Sequence, residues 1–285
     1  MTIPTKAFSG FSLTNVGLGC ARLGSMTGAT TEEAKALILR ARDAGVTFFD
    51  TAASYGQGDS ERILGRLVGS DDKICLVTKV GKQVSFKARL LQPVKGIVRS
   101  LARNSSKMHS TVRQSRGAAL PVNFDAAFLT SELTKCHRRT GLKTIPMVML
   151  HSVDAATVKE GAAIEVLERA QTRGDIRLIG ASVDDLEAAE ATLADSRIQA
   201  VQVPYVAGDS AMADWAIHAN RAGKLVVARE VFGGVAALPA GERAGYIQKN
   251  LLRSTSDAAV GVTLVGTTKT AHFDEILGML APKTA

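Results

Sequence analysis

Eight short apolar runs recur along the chain, at residues 16–20, 47–50, 74–79, 147–151, 178–182, 200–203, 225–229 and 261–266, and segments of helical periodicity lie between them. Short apolar runs bounded by turn formers read as buried strands, whereas apolar residues spaced three and four apart read as one face of a helix. The helical segments fall at residues 31–44, 60–68, 124–140, 155–172, 184–194, 211–222, 242–253 and 270–280. In the first, Thr30 and Glu33 have capping-box spacing and Ala34, Leu37, Ile38 and Ala41 share a face. Gly45, Gly141, Gly174 and Gly223 sit where helices end. Repeated strand–helix alternation calls for parallel strands joined by crossover helices. Eight such units in 285 residues fit a (β/α)8 TIM barrel, whose usual length is about 250 residues. A doubly wound open sheet would alternate in the same way, but the first strand-to-helix turn, GLGCARLGS, lacks a GxGxxG opening into a helix. A Ser-Gly turn within residues 8–12 predicts a hairpin plugging the N-terminal end of the barrel.

A hydrophobic fraction of 46% over 285 residues suffices for one large core, so residues 1–285 are expected to form a single domain. The net charge of +8 is local: residues 82–116 carry nine Lys or Arg and no acid, and the remainder holds 26 basic against 27 acidic residues. With little periodicity outside a short helical stretch at 94–101, this segment reads as a long basic loop after the third barrel strand. A basic loop at that place would draw anions to the mouth, although a solvated face is the simpler reading. Its aromatic content is Phe86 alone, so a nucleic-acid partner is not expected. Cys20, Cys75 and Cys136 have neither disulfide-framework nor metal-ligand spacing, which points to a reducing compartment and no metal. No run approaches the roughly 20 apolar residues of a bilayer span, and the first residues lack a signal-peptide pattern. A soluble cytoplasmic protein, monomeric by default and with no membrane partner, is the expectation.

Chemistry concentrates at the ends of three strands. Asp50, Lys79 and His151 close the second, third and fourth apolar runs, and Tyr55 lies in the turn that follows Asp50. In a barrel these positions converge on the C-terminal rim, where active sites form. A phenol titrates near 10, and an adjacent ammonium would pull that value down, while Asp50 would keep a buried Lys79 charged. A histidine beside them can orient or polarise a carbonyl oxygen. Such a group can relay a proton to complete a hydride transfer. Taken singly, Asp50 would read as a cap, Lys79 as a solvated strand end and His151 as a core histidine; their shared position on successive strands favours chemistry. Cys20 reads as a small core residue, Trp215 as packing, and Arg22 as either pocket lining or rim.

The segment FFDTAASYGQGDSERILG contains the pattern FDTAxxYGxxxSExxLG through Phe49, Asp50, Thr51, Ala52, Tyr55, Gly56, Ser60, Glu61, Leu64 and Gly65. Further matches are VTKVG at 77–81, LHSVD at 150–154, IGAS at 179–182, VQVPY at 201–205 and VGTTKTAHFDE at 265–275. Over nearly its whole length the chain resembles the aldo-keto reductase superfamily. The resemblance implies an NADPH-dependent carbonyl reductase, with NADH as an alternative donor, that reduces an aldehyde or ketone to an alcohol without metal. It implies Asp50, Tyr55, Lys79 and His151 as the catalytic tetrad, with Tyr55 as proton donor. Ser182 and Gln202 would hold the nicotinamide carboxamide, Arg229 would stack on the ring, and Phe232, Gly233 and Gly234 would cover the pyrophosphate. Gly266, Thr267, Thr268 and Lys269 with His272 and Glu275 would face the adenosine end. The chain departs from the family pattern at Val183, which replaces an asparagine that bonds the carboxamide, and at His272, where many members carry an arginine for the 2′-phosphate. Oxidation of a sugar or alcohol with NADP or NAD, or a slow NADPH-binding redox sensor, are the alternative functions.

Overall fold

The computed structural model describes residues 3–23, 28–83 and 120–281, and elements are numbered in chain order within them. A two-stranded hairpin, β1 (Thr5–Phe8) and β2 (Phe11–Thr14), leads into β3 (Val16–Gly19), α1 (Thr31–Asp43), β4 (Phe48–Asp50), α2 (Asp59–Val68), β5 (Cys75–Val80) and α3 (Ala126–Thr140). There follow β6 (Ile145–His151), α4 (Ala155–Glu160), α5 (Ala162–Thr172), β7 (Ile176–Ser182), α6 (Leu186–Ala194), β8 (Ala200–Pro204), α7 (Ser210–Arg221), β9 (Leu225–Arg229), α8 (Ala240–Ser256), β10 (Val262–Gly266) and α9 (Thr270–Leu280). Strands β3 to β10 pair in parallel in sequence order, and β10 closes the barrel against β3. The eight strands lie within a residue or two of the expected runs. The segment expected as one helix at 155–172 is two, because Gly161 adopts φ +79° between α4 and α5.

Strand periodicity divides each sequence between two environments. Phe48, Cys75, Val77, Met147, Met149, Leu178, Ala200, Leu225, Val227, Val262 and Leu264 fill the barrel interior. Their neighbours, such as Val148, Leu150, Ile179, Ala181, Val201 and Val203, pack outward in the core that includes α3, α5 and α7. Gly17 stands where the interior has no space for a side chain: a Cβ there would come within 2.9 Å of the Phe48 ring.

The hairpin is longer than residues 8–12 and pairs Thr5 with Thr14 through Phe8 with Phe11. Its turn places Ser9 and Gly10 at φ 45° and 83°. Phe11 and Leu13 are buried in the same cluster as the inward-facing strand residues, so the hairpin is the floor of the barrel. Burying each contributes about 1.5–3 kcal/mol. Thr47 ties this floor to the barrel by donating its hydroxyl to the Ser12 carbonyl at 2.8 Å.

The basic loop expected after β5 at residues 82–116, with its helical stretch at 94–101, lies outside the described residues from residue 84 onward. Its stem is described: Gln83 donates to the Pro121 carbonyl (2.8 Å), Asn123 to that of Gly81 (2.7 Å), and Lys82 forms a bridge with Val122.

Candidate active site

Continuing each strand's inward alternation by one step reaches a polar ring at the C-terminal rim. In β4 the inward series runs from Phe48 to Asp50, in β5 from Cys75 and Val77 to Lys79, and in β6 from Met147 and Met149 to His151. The same step yields Ser182 in β7, Gln202 in β8, Arg229 in β9 and Gly266 in β10.

Lys79 is fully buried, and its Nζ lies 2.6 and 2.7 Å from the two carboxylate oxygens of Asp50. It also donates to the Thr51 carbonyl at 3.1 Å and to the Tyr55 hydroxyl at 3.4 Å. Gln202 Nε2 donates to Asp50 Oδ1 (2.9 Å), and Ser182 Oγ donates to Gln202 Oε1 (3.0 Å), so a continuous chain links β4, β5, β7 and β8. Burial alone would strip the Lys79 charge, but Asp50 and Tyr55 outweigh it and hold the ammonium above the ordinary lysine value. Removing Asp50 would leave an uncompensated buried cation, a loss of about 3–5 kcal/mol for pairs of this kind. Tyr55 departs from the sequence expectation. Burial raises its phenol above the usual value, and the opposing pull of Lys79 does not reverse that rise.

The Tyr55 and His151 rings meet edge to face with centroids 5.8 Å apart. Burial, reinforced by Lys79, Lys82 and Arg229, holds His151 well below the ordinary histidine value, so it is neutral at pH 7. Its Nδ1 makes no hydrogen bond among the described residues.

The turn carrying Tyr55 is fixed from below. Gly58 at φ +89° permits the chain to enter α2, and a Cβ there would lie 2.3 Å from Arg139 Cδ. Thr51 donates to Ser60 Oγ (2.8 Å), which donates to the Cys20 carbonyl (3.3 Å). Glu61, fully buried, accepts from Thr78 Oγ1 at 2.7 Å and is paired with Arg139 of α3. The Ser-Glu of the sequence pattern thus anchors α2 to β5 and α3. Arg139 is a partner that sequence reasoning missed; it sits among Lys135, His137 and Arg138 near the helix end, where basic residues are ordinarily exposed.

Two cavities meet at this rim. One, of about 540 Å3, is lined by Tyr55, His151, Ser182, Gln202, Arg22, Lys82, Asp184, Arg229 and Glu230 among others. The second, of about 410 Å3, is lined by Gly19, Asp50, Tyr55, Gln202, Arg229, Phe232, Gly233, Leu264 and Gly266. Arg22 therefore faces the cavity. Arg229 does not lie free over the opening: it donates to the Val183 carbonyl at 2.8 Å and is paired with Asp184 and Glu230. Gly234 is exposed beside the second cavity's lining, Thr267 Oγ1 accepts from the Lys269 amide at 3.2 Å, and His272 and Glu275 are exposed on α9, with Thr268 just before it. Cys20 is a buried core residue whose thiol burial pushes well up, and Trp215 is packed in the outer core.

A sequence model of the Aldo/keto reductase family matches residues 15–249, well over half of the chain. The chain belongs to the Aldo/keto reductase family. It is 26% identical over 209 residues to the aldo-keto reductase yakc [NADP(+)] of Schizosaccharomyces pombe, an alignment covering 72% of this chain and 53% of that protein. It is also 26% identical over 190 residues to the D-threo-aldose 1-dehydrogenase of a Pseudomonas species, covering 63% of this chain and 53% of the relative. The chain thus spans about half the length of these curated relatives. An aldo-keto reductase from Klebsiella pneumoniae solved in complex with NADPH superposes with a TM-score of 0.70 over 100% of this chain and 92% of that one, at 19% identity. At that identity the likeness establishes the fold. Among the described residues, no helix is long and apolar enough to cross a membrane.

Proposed function

We propose that this protein, as one barrel domain, reduces an aldehyde or ketone to an alcohol with NADPH as hydride donor and Tyr55 as proton donor. The observation that carries this reading is the Tyr55 hydroxyl 3.4 Å from the Lys79 ammonium, on a residue that lines both cavities, the first shared with His151 and the second with Gly266.

The residues present fit a dinucleotide. Gly19, Gly233 and Gly266 give the second cavity a wall without side chains, and a Cβ on Gly266 would have nothing nearer than 4.0 Å, so the space beyond the backbone is open. Ser182 and Gln202 would hold the carboxamide through the lone pairs and protons their mutual bond leaves, and Phe232 with Gly233 and Gly234 would cover the pyrophosphate. Gly266 to Lys269 and the start of α9 would face the adenosine end, where helix-terminal amides favour a phosphate. When bound, the dinucleotide supplies the hydride. Arg229, fixed by Asp184 and Glu230, would form the edge of the ring site rather than a mobile cover. Val183 contributes only its carbonyl, already taken by Arg229.

Within this frame, neutral His151 donates an N–H to the substrate oxygen and orients the carbonyl toward Tyr55. The raised phenol keeps Tyr55 protonated through the neutral range, and Lys79 stabilises the phenolate left after proton transfer. The sign for reduction follows: the rate is level through neutrality and falls as pH rises through the Tyr55 value. Some relatives bear dehydrogenase names, which supports alcohol oxidation by the same site as the second reading. Free, buried cysteines support a reducing, cytoplasmic setting.

The test is NADPH oxidation with a panel of aldehydes, comparing wild type with Tyr55→Phe. Loss of the proton donor is expected to lower kcat by at least about 100-fold, with NADPH affinity retained by fluorescence titration. Equal turnover by the two proteins would remove Tyr55 from the reaction.

A further inference from the structure

Beyond the groups that carry out chemistry, the 540 Å3 cavity presents three cations, Arg22, Lys82 and Arg229, and two carboxylates, Asp184 and Glu230. The carboxylates are committed. Both pair with Arg229, which also bonds the Val183 carbonyl, so this cluster is closed on itself. Lys79 and Asp50 likewise neutralise one another below the rim. His151 carries no charge at pH 7. Lys82 forms no salt bridge among the described residues and lines the same cavity as Tyr55 and His151.

The position of Lys82 is built into the fold. It lies three residues beyond Lys79 on the continuation of β5, and its backbone bridges Val122 between the Gln83–Pro121 and Asn123–Gly81 hydrogen bonds. That short ladder fixes the backbone of Lys82 beside the cavity it lines. Half-burial, with Arg229 and Lys79 nearby, lowers its value from that of a solvated lysine against the opposing pull of Asp184 and Glu230, so its ammonium has shed part of its water without forming a salt bridge among the described residues. A partly desolvated cation gains most from an anionic partner, because the cost of removing its hydration is already met by the fold.

We infer that Lys82 is a specificity-determining residue that binds the carboxylate of an anionic carbonyl substrate in the cavity shared with Tyr55 and His151. This rests on the reductase reading for the carbonyl, but the recognition of a carboxylate does not. The ammonium supplies a charge-assisted hydrogen bond to the carboxylate, while His151 and Tyr55 address the carbonyl oxygen at the other end.

Two measurements test the assignment. In the first, kcat/KM with NADPH is compared for succinic semialdehyde and its methyl ester, which differ by one charge at nearly constant shape. Wild type should prefer the acid, and Lys82→Gln should reduce the acid-to-ester ratio by about tenfold or more through KM rather than kcat. Lys82→Arg, which keeps the charge, should restore most of the preference. In the second, succinate is titrated calorimetrically into each protein, so that carboxylate recognition is read without turnover. Succinate binding to wild type and Lys82→Arg but not to Lys82→Gln supports the assignment. An unchanged acid-to-ester ratio in Lys82→Gln, or equal succinate binding by all three proteins, overturns it. If wild type reduces no carbonyl at all, the reductase reading fails, and the succinate titration alone decides the role of Lys82.

Discussion

At His151, burial and three nearby cations all act against protonation, and this one side chain gives the protein a predictable acid sensitivity. In the unfolded chain the imidazole titrates near its ordinary value of about 6.5, whereas in the fold it does so well below. Between the two values the unfolded state binds more protons than the folded one, so stability is fully present above the unfolded value and is lost as pH falls toward the folded one. Replacing the imidazole by an uncharged amide removes that dependence. His151→Gln should therefore lose less stability than wild type between about pH 7 and pH 5.5, measured as urea midpoints at each pH. Asp50, Lys79 and His151 were legible in the sequence because they end successive apolar runs, and that shared position outweighs the ordinary structural reading each would have alone. Lys82 and Arg139 were not. Lys82 opens a run of basic residues, and Arg139 sits among Lys135, Arg138 and Lys143, so neither stands out until the fold shows what each faces. The Tyr55 value was misjudged for a related reason: a sequence names the neighbouring ammonium but carries no measure of burial.

Among the elements, α2 is the one on which the site leans, since it follows directly from the turn that presents Tyr55. Its contact with α3 depends on Gly65, where a Cβ would lie 1.9 Å from the Thr140 carbonyl oxygen. No rotamer relieves a clash with backbone, so one helix has to move. Gly65→Ala should cost about 1–3 kcal/mol in thermal or urea unfolding, and more than the same change at Gly278, which has open space around it. The displacement should also lower kcat, because Glu61 and the Tyr55 turn travel with α2. Helix α1 was readable to its first residue, as Thr30 and Glu33 do form a reciprocal cap at 3.1 and 2.6 Å. The break between α4 and α5 was not, because Gly161 inside an amphipathic run looks like a tolerated glycine until its positive φ is known.

For the molecule as a whole, the eightfold alternation specified the barrel, and the absence of a GxGxxG turn removed its main competitor. The extent of the hairpin was less visible: Phe11 and Leu13 alternate over too few residues to separate a strand from a loop, and only closure of the barrel beneath them shows what they fill. Leu13 is fully buried at the floor, away from the rim. Leu13→Ala should reduce unfolding free energy by about 2–5 kcal/mol while leaving KM for NADPH and carbonyl within about twofold of wild type at a temperature where both are folded. A shift in KM would mean that packing at the floor is transmitted to the rim. The floor also gives the molecule a definite back. Ser12 is exposed on the hairpin, on the side facing away from the mouth, so a linker attached there would hold the protein to an electrode or a bead with its opening turned toward the solution.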